Sequence, residues 1–406
     1  MSADRRSRPV NLLSLLSLLS VTVGLAVFLG RVSAAAEPAY WTWFKYGEGV
    51  TETWQISEVE GDPLRVSIRS KDVPAHRRLR RILVVYPRPS SAYDTAITKI
   101  LHVFTDKDVK AEITVINFKK ADALGKAALR LAEAGEYELI FSMGSESTAW
   151  LYKNYRGGSI PVVSVCSKDP VQLGQMQGYD VGSGTNFAFT SLNMPVEAQM
   201  AYVLELKPNL KNIAVLVDSK NVSAVQTQAN PVADYARRRG IRVLNIAVRN
   251  PKKAREELAR LVPKAVATMR KNDPDLNNSV FWITGSTSVF NEIATINARS
   301  DRVPVLSVVP EVVKAGEDSA VLSVGISFQS NAHLAAIYAA EVLSGRVEAG
   351  DLKVGVVSPP DIAINFRKAR EIGLRIPFSF FESATFVYDY DGQTVRNNGK
   401  SIAAEN

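Results

Sequence analysis

Short apolar runs alternate along this chain with loops of Ser, Thr, Gly or Asn, and each loop leads into an amphipathic stretch of helical period. The pattern is laid down twice. Residues 82–86, 139–141 and 162–165 form a first series of runs, and residues 213–217, 280–283 and 305–309 form a second that starts afresh after Asn193. Being apolar on both faces, these runs read as buried parallel strands, so the sequence predicts two βαβ domains in tandem. Helices are expected up to about residue 104, over 121–134, over 195–206, up to 239 and over 251–269, with residues 186–191 crossing to the second lobe. After Gly316 a strand at 320–326, a helix at 332–343 and a strand at 352–356 are too few for a third domain. They are expected to return to the existing lobes, which implies several crossovers and a hinge.

The expected fold is therefore α/β: two doubly wound parallel-sheet lobes joined by a multi-strand hinge. The first lobe takes residues 81–191 with about 328–350, and the second takes 192–327 with about 351–385. Residues 37–80 read as an appendage and linker, where the alternation in TWFKYGEGVTETWQIS suggests a hairpin and Trp41, Trp43 and Trp54 an aromatic patch on the first lobe. The polar tail 386–406 is expected to stay loose.

Residues 1–36 carry Arg5, Arg6 and Arg8, then an uncharged apolar stretch over 10–30, then Ala34, Ala35 and Ala36. That is the layout of a cleavable secretory signal, the alternative being an uncleaved membrane anchor. Cys166 is the only cysteine, so a disulfide within the chain is excluded and no cysteine stands at the cleavage site to carry a lipid. A free periplasmic monomer is the expectation. The net charge of +8 includes +3 from the leader, and the only basic cluster beyond it is residues 76–81. Nucleic-acid binding would need a concentrated basic and aromatic stripe, so it is excluded.

Each predicted strand ends in small polar residues where a helix begins, gathering backbone N–H groups, hydroxyls and positive helix ends at one sheet edge. Candidate ligand contacts are Ser90, Ser91, Gly144, Ser145 and Ser147 from the first lobe, and Asn221, Ser223, Gly285, Ser286 and Thr287 from the second. They would donate to a carboxylate or phosphate-like oxygen, or else simply cap their helices. Arg88 is a candidate carboxylate fork. Glu146 and Asp169 are candidate partners for a cationic group, although Asp before Pro also shapes a turn, and Ser167 in the same loop is a further candidate ligand contact. Tyr93 and Trp150 could stack on an aromatic ligand or pack within the lobe. Catalysis finds no support: His76, His102 and His333 have no ligand or triad partners at usable spacing, the Gly-Ser pairs lack the second glycine of a nucleophile elbow, and GSGTN at Gly182 opens no dinucleotide fingerprint. No cofactor or metal is expected.

The stretches IPVVSVCSKDPVQLG and LELKPNLKNIAVLVDSKNVSA, together with the closing VPVLSVVPEVVKAGEDSAVLSVGISFQSNAHLAAIYAAEVLSG and IAINFRKAREIGLRIP, resemble the type I periplasmic substrate-binding proteins of ABC transporters, in the group that includes tryptophan and tyrosine uptake proteins. The resemblance spans roughly residues 81–377. It implies two lobes that close over a small amino-acid-like or other carboxylate ligand and present it to an inner-membrane permease. The chain departs from the group at Thr284-Gly285-Ser286-Thr287, where relatives tend to carry an Asp-Asn pair, and at Pro87-Arg88-Pro89. Docking on a membrane sensor or kinase is an alternative. An enzyme of glycans or nucleotides would require paired cleft carboxylates that these loops lack.

Overall fold

The structure, a computed structural model, describes residues 37–402. The signal segment expected over 1–36 lies outside the described residues, as do the last four of the tail. Among the described residues no helix is long and apolar enough to cross a membrane.

The first lobe is built on a seven-stranded sheet. Its strands are β1 (Trp54–Val59), β2 (Asp62–Ser70), β3 (Arg80–Tyr86), β4 (Ala111–Asn117), β5 (Leu139–Met143), β6 (Val162–Val165) and β7 (Phe187–Ala188), in the order β1-β2-β4-β3-β5-β6-β7. β3 to β7 run parallel, and Ile82 to Tyr86 are at most 1 % exposed because helices cover both faces. β1 and β2 form an antiparallel hairpin that adds to β4. The segment expected to hang off the lobe therefore completes its sheet, with the hairpin at residues 54–70 rather than 42–57. Trp43 and Phe44 pack on Tyr86 with ring centroids 6.0 and 6.1 Å away.

The second lobe carries nine strands, beginning with β9 (Asn212–Asp218), β10 (Arg242–Val248), β11 (Ser279–Ile283), β12 (Val305–Ser307) and β13 (Leu322–Gly325) and continuing with β15 (Asp361–Asn365), β16 (Phe386–Tyr388), β17 (Thr394–Asn397) and β18 (Lys400–Ser401). Their order is β10-β9-β11-β12-β13-β15-β16-β17-β18. β8 (Thr190–Ser191) and β14 (Gly355–Val356) pair with each other between the lobes. The tail expected to stay loose instead supplies β16 to β18: Val387 is buried against the sheet, and Arg396 donates to the carbonyls of Phe381 (2.7 Å) and Ala384 (3.0 Å). The anchors are Val387 with its neighbours Phe386 and Tyr388 in β16 and Val395 in β17, while β18 has none, too short a set for a periodicity to register.

Three segments join the lobes, at residues 192–195, 326–327 and 357–360. The helix Phe328–Leu343 follows the second of them and returns to lobe one, where it packs on Ser91–Asp106. Asn331 of that helix is fully buried and ties the hinge: its Oδ1 accepts the Cys166 N–H (2.7 Å) and its Nδ2 donates to the Ser191 carbonyl (3.1 Å). Leaving either group unbonded in this dry position would cost roughly 1–3 kcal/mol.

Candidate functional site

The loops after β3, β5 and β6 and those after β9, β10 and β11 line one cavity of ≈ 460 Å³ between the lobes. These are the carboxyl ends of parallel strands, and β3 is the strand at which the order of the first sheet turns back, where doubly wound sheets open a crevice.

On the lobe-one side, Gly144 shows how the sequence sets the geometry. It sits at φ 76° at the end of β5, and the Tyr93 hydroxyl lies where its Cβ would be, so only glycine fits. Tyr93 is thereby pressed against the cavity wall, and burial pushes its phenol pKa up, keeping it a neutral donor. Arg88 passes over the Tyr93 ring, 5.9 Å from guanidinium to centroid, and its Nε meets Glu146 Oε2 at 2.9 Å. Lys120 binds the other oxygen of Glu146. One carboxylate thus serves two cations, and all three side chains face the cavity.

Lys168 is the charge this wall leaves over. Its backbone N–H is fixed by the Ser145 hydroxyl (2.9 Å), the residue is 6 % exposed, and among the described residues no carboxylate stands within ion-pair distance. Burial pushes its pKa down to about 8, against a smaller opposing effect of Cys166. The ammonium reaches across the cavity to Gly285 of lobe two, where a Cβ would collide with it.

The lobe-two wall is held by hydrogen bonds rather than ion pairs. Asp218, 7 % exposed at the end of β9, accepts from the Lys220 N–H (2.9 Å) and the Ser288 hydroxyl (2.8 Å), and among the described residues it has no cationic partner. Asn221 caps the following helix through Ala224 N–H and also accepts from the Ser223 hydroxyl. That helix widens into a single π turn over Val225–Ala229, a form common at functional sites because it re-aims side chains. Here Gln226 donates to the Gln172 carbonyl of lobe one (2.6 Å), the Thr227 carbonyl accepts from hinge residue Asn193 (2.8 Å), and Gln228 Oε1 accepts the Gly285 N–H (2.8 Å).

Of the residues singled out in the sequence, Arg88, Ser90, Tyr93, Ser145, Glu146, Asn221, Ser223, Gly285 and Thr287 line the cavity. The others serve the scaffold. Ser147 is fully buried and donates to the Val85 carbonyl (3.0 Å), Ser286 bonds Thr284 and the Asp218 N–H, and Ser91 is exposed on the first turn of its helix. Gly144 sits behind Tyr93. Asp169 is spent on the N–H groups of Val171 (2.9 Å) and Gln172 (3.0 Å) and on the Tyr179 hydroxyl, so it shapes the turn before Pro170. Ser167 is buried with its hydroxyl unbonded, outside the lining. Trp150 packs on Phe118 and closes over Gly125. Reading the sequence passed over Lys168 and Asp218, because a lysine inside a turn motif and an aspartate at a strand end look like surface punctuation. Their signal lay in position: Asp218 ends a strand buried on both faces, and Lys168 lies three residues beyond another. Among the described residues no group of His, Cys, Asp and Glu could hold a metal.

The family model described as "ABC transporter substrate binding protein" matches residues 83–387. Among solved structures, a conserved domain protein from Vibrio cholerae superposes with TM-score 0.61 at 19 % identity, covering 76 % of this chain and all of that one. An ABC domain from Streptococcus pneumoniae in complex with L-Trp gives 0.60 at 18 %, over 76 % of this chain and 100 % of that one. A ligand-free, open substrate-binding protein with adhesive properties from Clostridium difficile gives 0.58 at 18 %, over 77 % and 99 %. No curated protein matches. At these identities the structural likenesses speak for the fold, which is the two-lobed α/β fold expected from the sequence.

Proposed function

The chain belongs to the ABC transporter substrate-binding protein family, and we propose that its inter-lobe cavity captures a small zwitterionic, amino-acid-like solute for a membrane permease. The observation that carries this reading is the pair of buried, unmatched charges on opposite walls, Lys168 from lobe one and Asp218 from lobe two. A carboxylate beside Lys168 would restore the partner that burial has denied its ammonium, and an amine beside Asp218 would do the same for that carboxylate. Ser90, Ser145, Ser223 and Thr287 supply neutral donors and acceptors around them, and Tyr93, Phe290 and Phe328 supply the apolar walls. A ligand held from both sides favours the closed form, because only contacts that differ between open and closed forms shift their balance. The solute-binding family favours a permease over a sensor as the receiver of the closed form. The residues present suggest no catalytic step.

The test is calorimetric titration of the purified chain with amino acids, their N-acetyl derivatives and their methyl esters. Free amino acids should bind, and masking either charge should abolish binding. Equal binding of the masked forms would remove the charge-pair reading and leave a neutral solute.

A further inference from the structure

We propose that lobe one carries a second ligand site outside the cleft, a chamber that takes an oxyanion borne on an apolar or aromatic stem. The chamber, ≈ 470 Å³, lies where the N-terminal segment and the β1–β2 hairpin meet the loops after β3 and β4. One wall is apolar: Trp43, Leu64, Pro63 and Pro87, with the Trp43 indole fixed by its N–H bond to the Pro63 carbonyl (2.9 Å). The other is basic, formed by Arg88, Lys119 and Lys120. Arg88 and Lys120 share the single carboxylate of Glu146, and among the described residues Lys119 has no acidic partner. Three cations against one carboxylate leave an excess of positive charge facing this space.

Asn117 supplies the independent sign of a ligand. It lines the chamber and is 1 % exposed, yet only its Oδ1 is used, accepting the Lys119 N–H (3.0 Å). Its Nδ2 makes no hydrogen bond among the described residues, which leaves one amide donor free at the chamber wall. Lys119 and Lys120 are both held at positive φ, 51° and 58°, a conformation that lysine seldom adopts and that recurs where strain is retained for binding. An oxyanion here would accept from Asn117 Nδ2 and from the lysines while its stem lay along Trp43 and Leu64. The assignment stands apart from the cleft reading, since Asn117, Lys119, Trp43 and Leu64 line only this chamber.

Phenylphosphonate is the probe, titrated calorimetrically into the full chain at low ionic strength, with inorganic phosphate as the stemless control. Phenylphosphonate should bind more tightly than phosphate, Lys119→Glu should weaken it about tenfold or more, and Lys168→Met, in the cleft, should leave it unchanged. Lys119 is exposed, so this variant should fold; Asn117→Asp, which replaces the free donor by a charge of the wrong sign, gives a second reading at nearly constant shape. Absence of binding, phosphate binding as tightly as phenylphosphonate, or binding lost with Lys168→Met and kept with Lys119→Glu, would overturn the assignment. Failure of amino acids to bind the cleft would leave this result untouched.

Discussion

The two walls of the cleft solve the same problem by different means. Lobe one presents charge: Arg88 and Lys120 share the carboxylate of Glu146 within reach of solvent, and Lys168 stands alone where solvent is scarce. Lobe two presents an organised backbone, with Asp218, Asn221, Gln228 and Ser286 each bonded to a neighbouring N–H before any ligand arrives. The exposed ion network contributes little to affinity, since such pairs are worth about 0–1 kcal/mol. The buried, unmatched lysine is worth more, because desolvation has already been incurred and a ligand carboxylate recovers it. In this division lobe one chooses the charge of the solute and lobe two fixes where it sits and when the cleft shuts.

The largest expected effect breaks the contact between the walls. In Gly285→Val the new side chain takes the position of the Lys168 ammonium and crowds Gln228; amino-acid binding by calorimetry should fall beyond detection while the thermal transition stays cooperative. Unchanged affinity would mean that Lys168 does not meet Gly285 when ligand is bound.

Next comes Lys168→Met, which should weaken a carboxylate ligand by about 10- to 100-fold, the value of a charge-assisted hydrogen bond. Because the native ammonium is desolvated, the same change should raise the melting temperature of the ligand-free protein, so affinity and stability should move in opposite directions.

The pH dependence should be smaller and of defined sign. Lys168 titrates near 8 in the free protein, below the ordinary lysine value, and a bound carboxylate would raise that value. Binding should therefore take up a proton above pH 8; affinity should be full below pH 8 and fall by up to about tenfold per pH unit above it. Lys168→Met should flatten the profile.

Two variants then separate binding from scaffolding. Ser147→Ala should lower stability by about 1 kcal/mol through its lost bond to Val85 and leave affinity alone. Gln226→Ala removes the bond from the π turn to Gln172; it should weaken affinity only a few-fold, with the ligand-free chain more open by small-angle scattering. A large loss of affinity in Ser147→Ala would return that serine to the ligand.

The strands were legible because burial on both faces leaves an unbroken apolar run, as in ILVVY at residues 82–86 and VFWI at 280–283. The return of residues 328–343 to lobe one was legible too, since one helix and two strands cannot make a core. The terminal strands were not, because β17 and β18 lie at a solvated edge and bury little. For the site, the sequence located the loops, while the direction of each side chain depends on turns it states only in part. Ser145 and Ser147 stand two residues apart on one helix, and one fixes Lys168 at the cleft while the other bonds a strand carbonyl behind it.

The helix Phe328–Leu343 belongs to lobe one but is encoded after most of lobe two, which has a consequence for the order in which the molecule is made. During synthesis the first sheet would be complete by residue 188, with one of its covering helices still missing, and its apolar face would wait for more than a hundred further residues. Contacts so distant in sequence slow folding, and neither lobe is a finished unit when cut from the other. Heating should then melt both lobes in one transition, and a fragment ending at residue 191 should behave as a sticky, incompletely folded chain.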